Sequence, residues 1–166
     1  MLVEHGIEGP GRQGQAMSDK ERHVTLVQDE EYRFRVQFNK EGVPDLITDE
    51  PPPIGQDRGP SPAQLLGAAV GNCMAVSLLF CLKKSRLAVE GLQADVRVGF
   101  DRSAAGRLKI SGVQVRLQPE WTAGTAEKAK RCLEVFEEYC LVTQAVRQGI
   151  PVGVEIAGTL VPGASQ

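Results

Sequence analysis

Residues 61–86, SPAQLLGAAVGNCMAVSLLFCLKKSR, decide how this chain is read. Ser61-Pro62 is a helix start, with serine at the cap and proline at the first helical position, where its missing N–H loses nothing. Leu66, Ala69, Cys73, Val76 and Phe80 recur at three- and four-residue intervals. Leu65, Ala68, Val70, Leu78 and Leu79 make most of the remaining circumference apolar as well. A helix of this kind, expected to run to about Arg86, belongs at the centre of a fold. Residues 65–82 also lack charge and carry Gly67 and Gly71 at GxxxG spacing, so a membrane span is the rival reading. Asn72, Ser77, the small side chains and the amphipathic patterns on both flanks weigh against it.

Upstream, Thr25 and Val27, then Tyr32, Phe34, Val36 and Phe38, alternate with polar neighbours, the period of a half-buried strand. Asp29-Glu30-Glu31 would turn the first strand into the second, giving a hairpin. A turn at Lys40-Glu41-Gly42, a short run from Asp45 to Thr48 and a stiff connection from Pro51-Pro52-Pro53 to Gly59-Pro60 follow. Downstream, Leu92, Ala94, Val96, Val98 and Phe100 form a strand that turns through Asp101–Gly106 into Leu108 and Ile110. The alternation restarts on the opposite parity at Val113, Val115 and Leu117, which predicts a β-bulge at Ser111-Gly112. Thr125 can cap a second helix carrying Ala126, Ala129, Leu133, Phe136 and Cys140 on one face, and Gly149 should stop the helical turns beyond it. Val152, Val154, Ile156 and Leu160 predict a closing strand. Strands, buried helix, hairpin, second helix and strand make an α+β domain with antiparallel sheet wrapped on helices.

At 166 residues the chain suits one compact domain. Residues 1–20, rich in glycine and polar side chains, read as a flexible arm; 21–162 form the domain, and 163–166 a tail. A net charge of −2 gives no field that would draw nucleic acid or anionic lipid. The N-terminal stretch contains no unbroken apolar run of signal-peptide length, so a cytoplasmic location is expected.

Four cysteines, Cys73, Cys81, Cys132 and Cys140, remain to be explained. Their spacings contain no C-x-x-C, and the histidines, His5 and His23, lie in or beside the N-terminal arm, so no metal site is expected. Cys73 and Cys140 each lie on the apolar stripe of their own helix, and facing stripes would let the two thiols meet. Cys81 and Cys132 each stand eight residues from the other cysteine of their helix, about 80° round the wheel. They are expected outside that contact, as small buried side chains. Periodicity alone allows a purely packing role for Cys73 and Cys140 too.

The stretch Gly59-Pro-Ser-Pro-Ala-Gln-Leu-Leu-Gly-Ala-Ala-Val-Gly-Asn-Cys73, and then Cys140-Leu-Val-Thr-Gln-Ala-Val-Arg147-Gln-Gly-Ile150-Pro-Val152, resembles the OsmC/Ohr family of osmotically inducible and organic hydroperoxide resistance proteins. The resemblance spans about residues 23–161. It implies an intertwined homodimer whose antiparallel sheets enclose two long central helices. It also implies a cofactor-free, thiol-dependent peroxidase: Cys73 attacks the hydroperoxide, Cys140 resolves the sulfenic acid into a disulfide, and an external dithiol reduces it. An arginine from the N-terminal hairpin assists the thiolate in the family, and Arg33 stands at the resembling position. Arg35 is next, and Arg58 is a further candidate from the loop before the helix; a solvated strand face is the plain alternative for Arg33 and Arg35. Arg147 is expected to hold structure or dimer contacts.

Two departures stand out. Hydroperoxide-specific members anchor the arginine with a glutamate ten residues before the first cysteine, where this chain has Ala63; Leu141 stands where many members have proline. The chain therefore resembles a broader OsmC-like branch. The alternative to the enzyme is a non-catalytic dimer that senses redox state or binds a small apolar molecule. The expected partners are a second copy of the chain, a hydroperoxide and a dithiol reductant, with no nucleic acid and no membrane.

Overall fold

A computed structural model describes residues 21–157. The chain divides near Pro62 into two compact units.

The N-terminal unit holds a three-stranded antiparallel sheet in the order β1 (Thr25–Glu30), β2 (Arg33–Gln37), β3 (Leu46–Thr48). The expected hairpin is present, with Glu31 at positive φ in its two-residue turn. Val36 is the buried apolar residue of this unit, accompanied by Thr48 and Asp49. Asp49 organises the proline-rich connection by accepting backbone N–H bonds from Glu50, Gln56 and Arg58 at 2.9, 3.2 and 3.2 Å.

The C-terminal unit is built on α1 (Pro62–Lys84), close to the bounds its apolar pattern predicts. Two long strands, β4 (Val89–Arg102) and β5 (Leu108–Trp121), form an antiparallel hairpin. Gly99 pairs with Gly112 and Phe100 with Ile110, leaving Ser111 as the extra residue of a bulge where the parity of the sequence changes. Val70, Met74, Leu78 and Leu82 of α1 form the core with Ala129, Cys132, Phe136 and Cys140. Val113, Val115 and Leu117 pack against this cluster from the sheet. The glycine pair has its explanation here. A Cβ on Gly67 would lie 2.8 Å from Val98 Cγ2, and one on Gly71 would meet the Val96 side chain still more closely, so both glycines let α1 approach β4. Although α1 is long and apolar enough to cross a membrane, one face of it is packed into this core.

Two sequence expectations are corrected. The second long helix is absent among the described residues. Its place is taken by a 3-10 turn at Glu127–Ala129, α2 (Lys130–Val135), a 3-10 turn at Phe136–Tyr139 and α3 (Leu141–Gln148), so α1 is the only long helix described. The break falls at Cys140, whose backbone is extended (φ −84°, ψ 96°) while its carbonyl accepts the Gln144 N–H at 3.0 Å, placing it at the cap of α3. A β-branched Val135 followed by Phe136 and, three residues on, Tyr139 is poor helix material, and the chain tightens there into i→i+3 bonds. Gly149, at φ 72°, ends α3 as expected. Nor is the closing strand present among the described residues: 151–157 have no regular structure, with Val152, Val154 and Ile156 at 85, 84 and 95% exposure. Leu160, the flexible arm and the C-terminal tail lie outside the described residues.

Candidate active site

The structure brings Cys73 and Cys140 together. Cys73 projects from the middle of α1, and Cys140 caps α3. Both are free thiols and hydrogen-bonding neighbours of each other, Cys73 half-buried and Cys140 fully buried. The sequence placed them on facing helical stripes. In fact the break before α3 turns the cysteine and the helix start beyond it toward α1.

Donors converge on the pair. Cys140 Sγ lies 2.8 Å from Thr143 Oγ1, and in the neutral state the thiol donates to that hydroxyl. Burial raises the cost of ionising Cys140, but the Thr143 hydroxyl, the Cys73 thiol, the Thr143 amide and the Ser77 hydroxyl together hold its pKa below the ordinary value. Burial pushes Cys73 the other way, and the bond to Cys140 and the charge there push it further up. The N–H groups of Val142 and Leu141 offset part of that rise. These two amides belong to the first turn of α3, whose dipole also favours negative charge at this end. The two thiols therefore titrate as a unit, with the first negative charge resting more on Cys140.

Exposure and ionisation thus favour different sulfurs. Only Cys73 is reachable from outside, whereas Cys140 holds the charge better. One proton moved along the S–H···S contact converts one arrangement into the other, so the reachable sulfur can become the thiolate.

Arg33 lies in the N-terminal unit, where its Nε donates to Asp29 Oδ2 at 2.8 Å and its Nη1 pairs with Glu30 Oε2 at 3.0 Å. Arg58 reaches the same Glu30 oxygen at 3.2 Å, and Arg35 is 3.9 Å from Asp29. Both of these carboxylate partners of Arg33 come from its own hairpin. Arg147 pairs with Glu137 at 2.6 Å, linking α3 to the preceding turn. Among the described residues no group of His, Cys, Asp and Glu side chains could hold a metal ion.

Sequence reasoning missed Ser77, the two α3 amides and Asp49. Ser77 stands four residues after Cys73, one turn along the same face. Thr143 was visible as the threonine three residues after Cys140, but its contact depends on the cap.

Cys81 and Cys132 overturn the expectation of separate, inert thiols: they are joined by a disulfide, with Cα atoms 5.6 Å apart and 51 residues between them in sequence. They do stay outside the Cys73–Cys140 contact, as the wheel estimate expects; it is the purely packing role that is corrected. The 3-10 turn between Cys132 and Cys140 changes their relative rotation, and α1 is apolar enough to offer a wide contact face.

Fold and site together define an α+β unit with a dithiol between its long helix and a broken helical segment. The model of the OsmC-like protein family matches residues 55–155, and the chain belongs to that family. No curated protein matches the sequence. Solved structures share the fold. An OsmC-like protein of unknown function from Vibrio cholerae is 16% identical, with 78% of this chain and 94% of that one covered and a TM-score of 0.65. The organic hydroperoxide resistance protein OsmC of Legionella pneumophila is 16% identical, covering 79% and 92% with a TM-score of 0.62. The organic hydroperoxide resistance protein OhrB of Bacillus subtilis is 20% identical, covering 78% and 92% with a TM-score of 0.58.

Proposed function

We propose that the protein is a thiol-dependent peroxidase that reduces hydroperoxides through Cys73 and Cys140, without a cofactor. The observation that carries this reading is the free dithiol at the start of α3, one sulfur reachable and the other buried among hydroxyl and amide donors. Family membership and the hydroperoxide resistance named for two structural relatives support it.

The chemistry follows from the arrangement. The Cys73 thiolate attacks one peroxide oxygen, the O–O bond breaks, and the departing alkoxide takes a proton to become the alcohol. Cys140 then attacks the sulfur of the Cys73 sulfenic acid. Its hydroxide leaves as water with the pair's second proton, and the S–S bond forms. An external dithiol restores both thiols by two exchanges. Leu141 and Val142 N–H groups stabilise charge on Cys73, and Thr143 and Ser77 keep Cys140 ready as the second nucleophile. By the family resemblance alone we assign Arg33 as the thiolate's cation; within the N-terminal unit it is held by Asp29 and Glu30, and Arg35 and Arg58 pair with the same two carboxylates.

The functional unit in this reading is a cytoplasmic homodimer. Val76, Leu79 and Phe80 form an exposed apolar stripe on α1, and Val152, Val154 and Ile156 keep strand periodicity without a strand to pair with. Such surfaces suit coverage by a second copy.

Consumption of an organic hydroperoxide in the presence of a dithiol tests the reading. Turnover that disappears in Cys73→Ser supports it. A dimer that binds an apolar ligand or forms the disulfide but never consumes peroxide supports the non-catalytic alternative instead.

A further inference from the structure

We propose that Cys81 and Cys132 are a second redox couple, a clamp whose closure holds Cys140 in place against Cys73. The proposal concerns the site just described, and its biological purpose rests on the peroxidase reading.

Cys73/Cys140 and Cys81/Cys132 are two rungs between the same two stretches of chain. Going eight residues forward on α1, from Cys73 to Cys81, corresponds to going eight residues back from Cys140 to Cys132. Along α1 that is about 12 Å, too far for direct exchange between the rungs while the helix is intact. The second couple therefore acts on the first through the backbone between them. That backbone is weak by construction: six residues of α2 and four of a 3-10 turn, neither able to hold itself as an isolated helix. Cys132, Phe136 and Cys140 fasten it to the core at four-residue intervals, and the disulfide makes the first fastening covalent. Opening it leaves Phe136 and Cys140 to keep the segment in register.

The bond is also accessible from one side. Cys132 is buried, with Ser85 Oγ 3.3 Å from its sulfur, whereas Cys81 is half-buried. Closure removes two electrons and two protons from the thiols. A hydroperoxide accepts them: Cys81 attacks an oxygen and releases the alcohol, and Cys132 attacks the Cys81 sulfenic acid and releases water. An external dithiol reopens the bond by attacking Cys81, Cys132 departing as the thiolate and taking up a proton. In a reducing compartment a dithiol stays open without an oxidant, so the clamp would tighten when hydroperoxide is present.

Two measurements test the proposal, neither using peroxidase turnover. In the full chain carrying Cys73→Ser and Cys140→Ser, hydroperoxide should convert Cys81 and Cys132 from two alkylatable thiols to none. The midpoint of thermal unfolding should rise by about 10 °C and fall back with dithiol. Thiols that stay alkylatable in the folded, oxidant-treated protein overturn the couple. The second measurement titrates the Cys73–Cys140 disulfide against a dithiol/disulfide buffer, in the native chain and in Cys81→Ser. Closure should be about tenfold more favourable in the native chain, and equal values overturn the clamp. If Cys81→Ser does not fold, Cys132→Ala serves. Loss of folding in both, with the first measurement negative, overturns the couple and leaves only a packing role. Failure of the peroxidase reading would appear separately, as hydroperoxide consumption that Cys73→Ser leaves unchanged while both redox titrations stay intact.

Discussion

The Cys140 sulfur lies 2.8 Å from the Thr143 hydroxyl, one turn further along α3. That hydroxyl can turn its proton toward the sulfur when Cys140 ionises, which makes it the leading favourable influence on that thiolate. Thr143→Val keeps the shape and removes the donor. A hydrogen bond to a charged group contributes about 1.5–3 kcal/mol, so the disulfide-forming step should slow by at least about tenfold. Rapid-mixing measurement of sulfenic acid decay at Cys73 checks this.

Cys73 responds in the opposite sense to its neighbour. The hydrogen bond to Cys140 and the charge there both favour the protonated Cys73 and raise its pKa. In Cys140→Ser the charge is gone, so the pH midpoint for Cys73 alkylation should move down. A midpoint that rises or stays fixed would show that the two thiols do not titrate together.

Asp49 gives the N-terminal unit an acid limb. Burial works against the Asp49 carboxylate, but the N–H groups of Arg58, Gln56 and Glu50 and the Arg33 charge hold its pKa below the ordinary 3.8. A lowered folded-state pKa contributes stability that is present above 3.8 and is lost as pH falls through the depressed value. Asp49→Asn should be less stable than the native chain at neutral pH and should lose this part of the acid dependence. Thermal unfolding across the acid range, followed on both proteins, reads the difference.

Gly71→Ala places a methyl against Val96 where α1 crosses β4. Overpacking of this kind costs about 1–3 kcal/mol, seen as a lower denaturation midpoint in urea with the slope unchanged. Gly106→Ala, where an added Cβ meets nothing within 4 Å but φ is +75°, separates backbone strain from crowding.

The exposed stripe on α1 tests the assembly. Phe80→Glu puts a charge among Val76, Leu79 and their neighbours, all exposed in the single chain. If a second copy covers this stripe, light scattering should report dissociation toward the monomer. A dimer of unchanged strength would move the interface elsewhere, to the alternating apolar residues after Pro151 for example.

Elements whose cause is local were legible in the amino-acid order. The cap and proline at 61–62, the apolar circumference of α1, the two hairpins and the parity change at Ser111 each follow from propensity and period over a short window. The motifs around Cys73 and Cys140 likewise identified the pair and the family. The broken second helix was not legible, because a three-four repeat continues through Cys140 even though the chain tightens at Phe136 and extends at Cys140. The closing strand failed for a related reason: an alternating pattern shows a capacity for pairing, and pairing needs an edge to join.

The sequence by itself determined that an apolar helix with one thiol would pack against a second segment with another. Only the tertiary structure decided what surrounds those sulfurs, because the donors are a serine on the next turn of α1 and the first amides and a threonine of α3, set by a break in the chain. It also decided that Cys81 meets Cys132. Which of four thiols pair depends on the rotation of one segment against another, and that rotation accumulates through every irregular turn between them.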